Sequence, residues 1–341
     1  MPDRQNFLDR LEKKVHQQLG SQRVAYLLGA GSSYLGGKGY PLAGQLWEKI
    51  QDDVPGLQRV EIQAKLDGGA DGIEQALDLL DDGGADDTPH RHIVTEAIAD
   101  HFCSLNAPLD NHAKFLLRLA ARQDSLVPVF SLNYDPLVER GAEEAGVRVI
   151  DGFVGMENAF FDPNSFQQHL GLMRRGWRGQ YFQPIHGIVQ LFKLHGSLGW
   201  FESQENGIRR TAFNMPKPNG VRRLMIPPQR RKANDTMTAP YATMWSEFRS
   251  MLSHGPRLIN RLACLGYGMR DEHVNAAIEN GLARTDFTLL IFSRSLSNDA
   301  FNRWAKHKNV VIVSSTRCSL NGAVGGGHPR LWDFQNLCKE V

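Results

Sequence analysis

Cysteine is scarce and scattered. The four residues Cys103, Cys264, Cys318 and Cys338 form no C-x-x-C pair, so the ligand spacing of a structural zinc ribbon is missing and the thiols read as reduced and mostly buried. Charge of one sign is lacking too. Lys and Arg number 39 against 37 Asp and Glu, a net charge of +2, which gives no global attraction to nucleic acid or to an anionic membrane. No apolar run approaches the roughly 18 residues of a membrane span. The N-terminal stretch from Asn6 to Leu19 spaces Phe7, Leu8, Leu11, Val15 and Leu19 at helical intervals among charges, unlike the continuous apolar segment of a signal peptide. A cytoplasmic protein with no metal and no direct nucleic-acid binding is expected, and no internal repeat is visible.

What is present is a 41% apolar chain in which short apolar runs end in glycine or small polar residues. They are "VAYLLGAGSS", "LVPVFSLNYD", "VRVIDG", "CLGYG", "TLLIFS" and "NVVIVSS". Most are followed by a helix-like segment of about 10 to 15 residues, the pattern of parallel strands joined by crossover helices. The expected fold is therefore α/β, a doubly wound Rossmann-like parallel sheet, with ligands at the carboxyl ends of its strands. Residues 51–119 read as a helical insertion within a single domain spanning 1–341. Residues 152–184, which carry "MRRGWRGQYF", read as an irregular loop insertion.

Four stretches could carry chemistry. In "LLGAGSSYLGGKGYP", Gly29 and Gly31 permit a tight turn and close backbone approach, with Ala30 between them, and Ser32 and Ser33 can donate to an anion. Tyr34 stands where a dinucleotide fingerprint would have its third glycine, so a plain glycine turn remains an alternative. In "SLNYDP", Asn133 and Asp135 lie between a strand and a helix; helix capping is the simple account of the aspartate, and a ligand-facing role is the other. In "LFKLHGSLGW" an apolar strand delivers His195 into a Gly196–Ser197 turn, where a lone histidine is often structural. In "CLGYGMRDEHVN", Gly266 and Gly268 break a strand and Asp271 opens a helix; the adjacency of Asp271, Glu272 and His273 favours a capped helix start over a metal site.

The order of these stretches resembles the sirtuin family, and is most similar to its bacterial sirtuin-like NAD hydrolase branch of antiphage defence. The family's G-A-G-x-S is matched by Gly29, Ala30, Gly31 and Ser33 or Ser32, and the branch's Gly-x-Pro by Gly39, Tyr40 and Pro41. Its N-x-D is matched by Asn133 and Asp135, and its His-Gly by His195 and Gly196. The resemblance implies NAD as substrate, with the glycine turn, Tyr40, Pro41, Gly266, Tyr267 and Ser293 as cofactor-binding residues. It implies Asn133, Asp135 and His195 as the catalytic set: Asn133 orienting water or the ribose hydroxyls, Asp135 binding the carboxamide, and His195 serving as general base.

The departures bear on activity. Sirtuin deacylases carry two C-x-x-C pairs after His-Gly, whereas residues 197–263 here contain no cysteine, and the deacylases' longer G-I-P-D-F-R loop is not reproduced after Gly39. The resemblance thus implies simple cleavage of NAD to ADP-ribose and nicotinamide by a regulated, NAD-depleting defence effector. Protein deacylation, ADP-ribosyl transfer, and a non-catalytic subunit that binds NAD or ADP-ribose are the alternatives. A homo-oligomer is expected, with a HerA-like ATPase or an Argonaute-like protein as possible partner. The N-terminal helix and the basic stretch with Arg222, Arg223, Arg230, Arg231 and Lys232 are candidate contacts.

Overall fold

The computed structural model describes residues 2–80, 89–124, 126–177, 179–213, 217–226 and 238–340; Arg230, Arg231 and Lys232 lie outside the described residues. Its strands, in chain order, are β1 (Val24–Leu28), β2 (Leu126–Ser131), β3 (Val149–Ile150), β4 (Phe153–Val154), β5 (Ala159–Phe161), β6 (Gly171–Gly176), β7 (Gly179–Pro184), β8 (Ile188–Lys193), β9 (Gly196–Ser203), β10 (Gly207–Arg210), β11 (Arg222–Met225), β12 (Arg261–Leu265), β13 (Thr288–Phe292), β14 (Val310–Val313), β15 (Arg317–Leu320) and β16 (Ala323–Gly326).

The main sheet runs β16-β15-β14-β13-β12-β1-β2-β8-β3. The strands from β14 to β3 are mutually parallel, and only the β14–β15 and β15–β16 pairings at one edge are antiparallel, β15 being the one reversed strand. The chain winds from β1 outward through β2 to β8, then returns to add β12, β13 and β14 on the other side. That is the doubly wound Rossmann order.

Side-chain alternation explains why both faces are covered. Along β1, Val24, Tyr26 and Leu28 join one hydrophobic cluster while Ala25 and Leu27 join the other. Ala263 and Leu265 of β12, and Leu290 and Phe292 of β13, sort to the first cluster, and their neighbours to the second. A strand with apolar residues at every position must be buried on both faces. The first face is covered by the N-terminal helix Pro2–Leu19, through Leu11, Val15 and Leu19, and by helices Ala43–Ile50, Gly56–Asp67, Gly72–Leu80, Pro89–Ser104 and Asp110–Ala120. The second is covered by helices Tyr241–Ser253, Glu272–Leu282 and Asn298–Ala305, whose Trp245, Phe248, Ile278 and Trp304 are fully buried.

One expectation is corrected. Residues 152–184 are not an irregular loop: β4 and β5 pair antiparallel and join a second sheet, β11-β9-β10-β5-β4. β6 and β7 form a separate hairpin in register from Gly171↔Pro184 to Gly176↔Gly179. The hairpin packs neither face into a core; Met173, Trp177 and Tyr181 are exposed, so its sequence lacks the one-sided alternation by which a strand is recognised.

Candidate active site

Parallel register brings the four stretches to one end of the sheet. Leu28 sits opposite both Leu265 and Ser131, Ser131 opposite Lys193, and Leu265 opposite Phe292. The residues that follow, among them Gly29, Asn133, His195, Gly266 and Ser293, therefore emerge together at the carboxyl ends of β1, β2, β8, β12 and β13. Here the strand order reverses about β1, the position at which open α/β sheets bind ligands.

The two glycine turns interlock. Gly29 N–H donates to the Leu265 carbonyl (3.0 Å) and Gly31 N–H to the Gly266 carbonyl (2.9 Å). A Cβ on Gly29 would lie 2.7 Å from Tyr267 Cα, and one on Gly31 would lie 2.8 Å from Gly266 Cα. Gly266 itself has φ +66°, a left-handed conformation that disfavours side chains. These glycines therefore have a packing requirement of their own, and the N–H groups of Gly29 and Gly31 are engaged within the protein. Ala30 is exposed between them. Ser32 donates its hydroxyl to the Gly29 carbonyl (2.8 Å) and closes the turn.

Asn133 fastens to this turn. Its Nδ2 donates to Ser33 Oγ (2.8 Å), to the Gly29 carbonyl (3.0 Å) and, at 3.3 Å, to Ser32 Oγ. The amide nitrogen is thus spent on protein groups, and the amide oxygen is the end that can accept from a water or a sugar hydroxyl. Asp135 is buried. Its Oδ1 accepts from Leu137 N–H (3.1 Å) at the start of helix Leu137–Ala145. Burial raises the Asp135 pKa above the usual carboxylate range, with Lys193 and Ser33 opposing. The expected contact with the start of the helix is therefore present at this residue.

His195 lies in the two-residue turn between β8 and β9 and is 5% exposed. Gly196 follows at φ +82°, where a Cβ would meet the Leu224 carbonyl at 2.2 Å, so only glycine turns the chain there into β9. His195 Nε2 lies 3.3 Å from Asp271 Oδ2. Asp271 caps helix Glu272–Leu282, its Oδ1 accepting from His273 N–H (3.0 Å) and Val274 N–H (3.3 Å). Reading the aspartate as a cap is correct and incomplete, since the second carboxylate oxygen reaches across the crevice to the histidine. No local spacing links residues 195 and 271.

The remaining candidates lie around this centre. Tyr40 is buried, its N–H bonds to the Ser33 carbonyl (2.8 Å), and its ring packs on Phe102 at 4.9 Å. Burial, reinforced by Asp135, pushes its hydroxyl well above the ordinary range. Pro41 follows, partly exposed. Tyr267 turns its hydroxyl to its own loop, donating to the Asp271 carbonyl (3.1 Å) and Asn275 Oδ1 (3.1 Å) and accepting from Asp271 N–H. Ser293 bonds locally to the Ser295 carbonyl, one strand beyond Gly266. A cleft of about 930 Å³ adjoins the Asp135 turn, lined by Tyr40, Phe102, Pro136, Arg140, Leu198 and Phe213 among others. Among the described residues no group of three His, Cys, Asp or Glu side chains could hold a metal ion, and no helix is long and apolar enough to cross a membrane.

No protein-family model and no curated protein matches the chain. Solved structures that do match include a mutant Sir2 homologue in complex with ADP-ribose, at 12% identity and TM-score 0.47, covering 96% of this chain and 93% of that one. Another is Sir2 bound to acetylated peptide, at 12% identity and TM-score 0.42, covering 99% of this chain and 96% of that one.

Proposed function

We propose that the chain cleaves the nicotinamide–ribose bond of NAD and passes ADP-ribose to water. The observation that carries this reading is the convergence of Asn133, Asp135 and His195, all matched to the sirtuin-like motifs, at the switch point of a Rossmann-ordered sheet, with Asn133 bonded to the glycine turn. Heterolysis of the C1′–N bond sends its electron pair to nicotinamide, which departs neutral, and leaves positive charge on the ribose. Asn133 presents its amide oxygen to the attacking water or a ribose hydroxyl, and Asp135 holds the carboxamide. The cleft on the Pro136 side, with Tyr40 and Phe102, has room for the departing ring. The water oxygen bonds to C1′ and its proton passes to His195.

Asp271 gives the base its orientation. A carboxylate at Nε2 favours the tautomer protonated there, leaving the lone pair on Nδ1. The absence of paired cysteines after His195 favours water over an acylated peptide as acceptor. Unrestrained NAD loss would poison the cell that makes the protein, so the activity is that of a regulated, NAD-depleting effector. We propose that it assembles as a homo-oligomer, with a partner such as a HerA-like ATPase, and works in antiphage defence in the cytoplasm.

The test is incubation of purified protein with NAD across a range of concentrations, with separation of the products. Nicotinamide and ADP-ribose should appear without peptide, and Asn133→Ala and His195→Ala should each lower the rate about 10²-fold or more. Turnover that requires an acylated peptide would establish deacylation instead, and ADP-ribose binding without turnover under any condition would establish a sensor.

A further inference from the structure

A lysine with almost no solvent contact sits two residues before His195. Lys193 is 2% exposed, yet its ammonium has three partners: Glu139 Oε1 at 2.9 Å, the Asp135 carbonyl at 2.6 Å and the Tyr134 carbonyl at 3.3 Å. An ammonium has three N–H donors, and all are accounted for. Glu139 is 7% exposed and lies in the first turn of the helix that Asp135 opens. Desolvating such a pair costs several kcal/mol, and apolar side chains of similar volume in its place are often neutral or stabilising. Stability alone thus does not account for the pair, and its position does. It joins β8, which delivers His195, to the turn that carries Asn133 and Asp135.

We propose that Lys193 is a positioning residue. Its ammonium fixes the backbone of the Asn133–Pro136 turn relative to His195, so that the amide of Asn133 and the carboxyl of Asp135 meet the ribose and the carboxamide in reactive register. The catalytic part of this inference rests on the NAD-cleavage reading; the structural part does not. The Leu137 N–H, bonded to Asp135 Oδ1 at 3.1 Å, reports on the turn in either case.

The experiment replaces the pair together, Lys193→Met with Glu139→Met, so that no lone charge stays buried. Melting temperature, hydrogen exchange of the segment from Ser131 to Arg140, and kcat and KM for NAD are then measured. Melting should stay within a few degrees of wild type, exchange in this segment should accelerate about tenfold, as expected for losing roughly 1.4 kcal/mol of local protection, and exchange elsewhere should be unchanged. kcat per folded molecule should fall about 10- to 100-fold while KM moves by less than about threefold; an unfolded fraction would lower apparent kcat in the same way, so the folded fraction at the assay temperature is read from the melt and used to normalise the rate. If this pair fails to fold, Lys193→Gln with Glu139→Gln takes its place under the same readouts. Unchanged exchange, or unchanged kcat in a folded variant of an active enzyme, overturns the proposal. If the wild type cleaves no NAD, the functional reading fails and exchange alone decides: acceleration supports the positioning of the turn by Lys193, and no acceleration refutes it.

Discussion

Replacing Asp271 by asparagine separates two duties that one side chain performs. Oδ1 of Asp271 accepts from two backbone N–H groups, His273 and Val274, and Oδ2 faces His195 Nε2 at 3.3 Å. In Asp271→Asn the amide cannot choose its orientation freely, because only its oxygen can accept from the two capping N–H groups. The NH₂ must then face the imidazole, and a donor at that place favours the opposite tautomer, with the lone pair on Nε2 and the proton on Nδ1. Asparagine caps a helix about as well as aspartate, so melting should be nearly unchanged. Asp271→Ala loses the cap as well, about 1 kcal/mol, or on the order of 2 °C in a chain of this size. The same aspartate-to-asparagine exchange lowers a serine-protease triad about 10⁴-fold; for the longer contact here, a fall of about 10²-fold in nicotinamide release is expected. The assay is chromatographic separation of nicotinamide, read beside a thermal melt of each variant. An Asp271→Asn protein with wild-type turnover and wild-type melting would refute the dyad and leave Asp271 as a helix cap alone.

Two further perturbations follow from the packing. Gly266→Ala would place a Cβ 2.3 Å from Ser32 N in a left-handed residue; a loss of about 1–3 kcal/mol should be visible in denaturant titration, and wild-type stability would contradict the interlock of the turns. His112 is fully buried against Phe334, with no hydrogen-bond partner at either ring nitrogen among the described residues, and burial pushes its pKa down to about 3. Because the folded pKa lies below the unfolded value, stability is full above about pH 6.5 and falls as the pH drops toward 3. At pH 5 the cost is about 2 kcal/mol, which His112→Leu should remove, as measured by comparing unfolding at pH 7 and pH 5.

Much of the fold was legible because parallel strands buried on both faces leave uninterrupted apolar runs. β1, β12, β13 and β14 each appear in the sequence as such a run ending in glycine or serine, and Asp271 was recognisable as a cap from its place before "EHVN". The second sheet was not legible: β4, β5 and β10 are two to four residues long, too short for periodicity to register. Within the site, the motifs located Asn133, Asp135 and His195 by type and order. They could not reveal the His195–Asp271 contact or the Lys193 ammonium beneath the turn, because both arise where the topology sets distant segments side by side. The role of Gly29 and Gly31 was likewise only half visible, since sequence shows that a backbone can approach closely and not which backbone does.

The interlock of the glycine turns also governs when the site comes into being during synthesis. Gly31 has nothing to seat against until Gly266 has left the ribosome, and His195 lacks its carboxylate until Asp271 has followed. A nascent chain can pair β1 with β2 and β8 beforehand, with Asn133 already beside the first turn, yet the crevice has only one wall. Such long-range closure is slow compared with local helix formation. A centre built in this order cannot assemble until Asp271 has emerged, and a chain broken off before Asp271 carries the motif residues without the assembled centre.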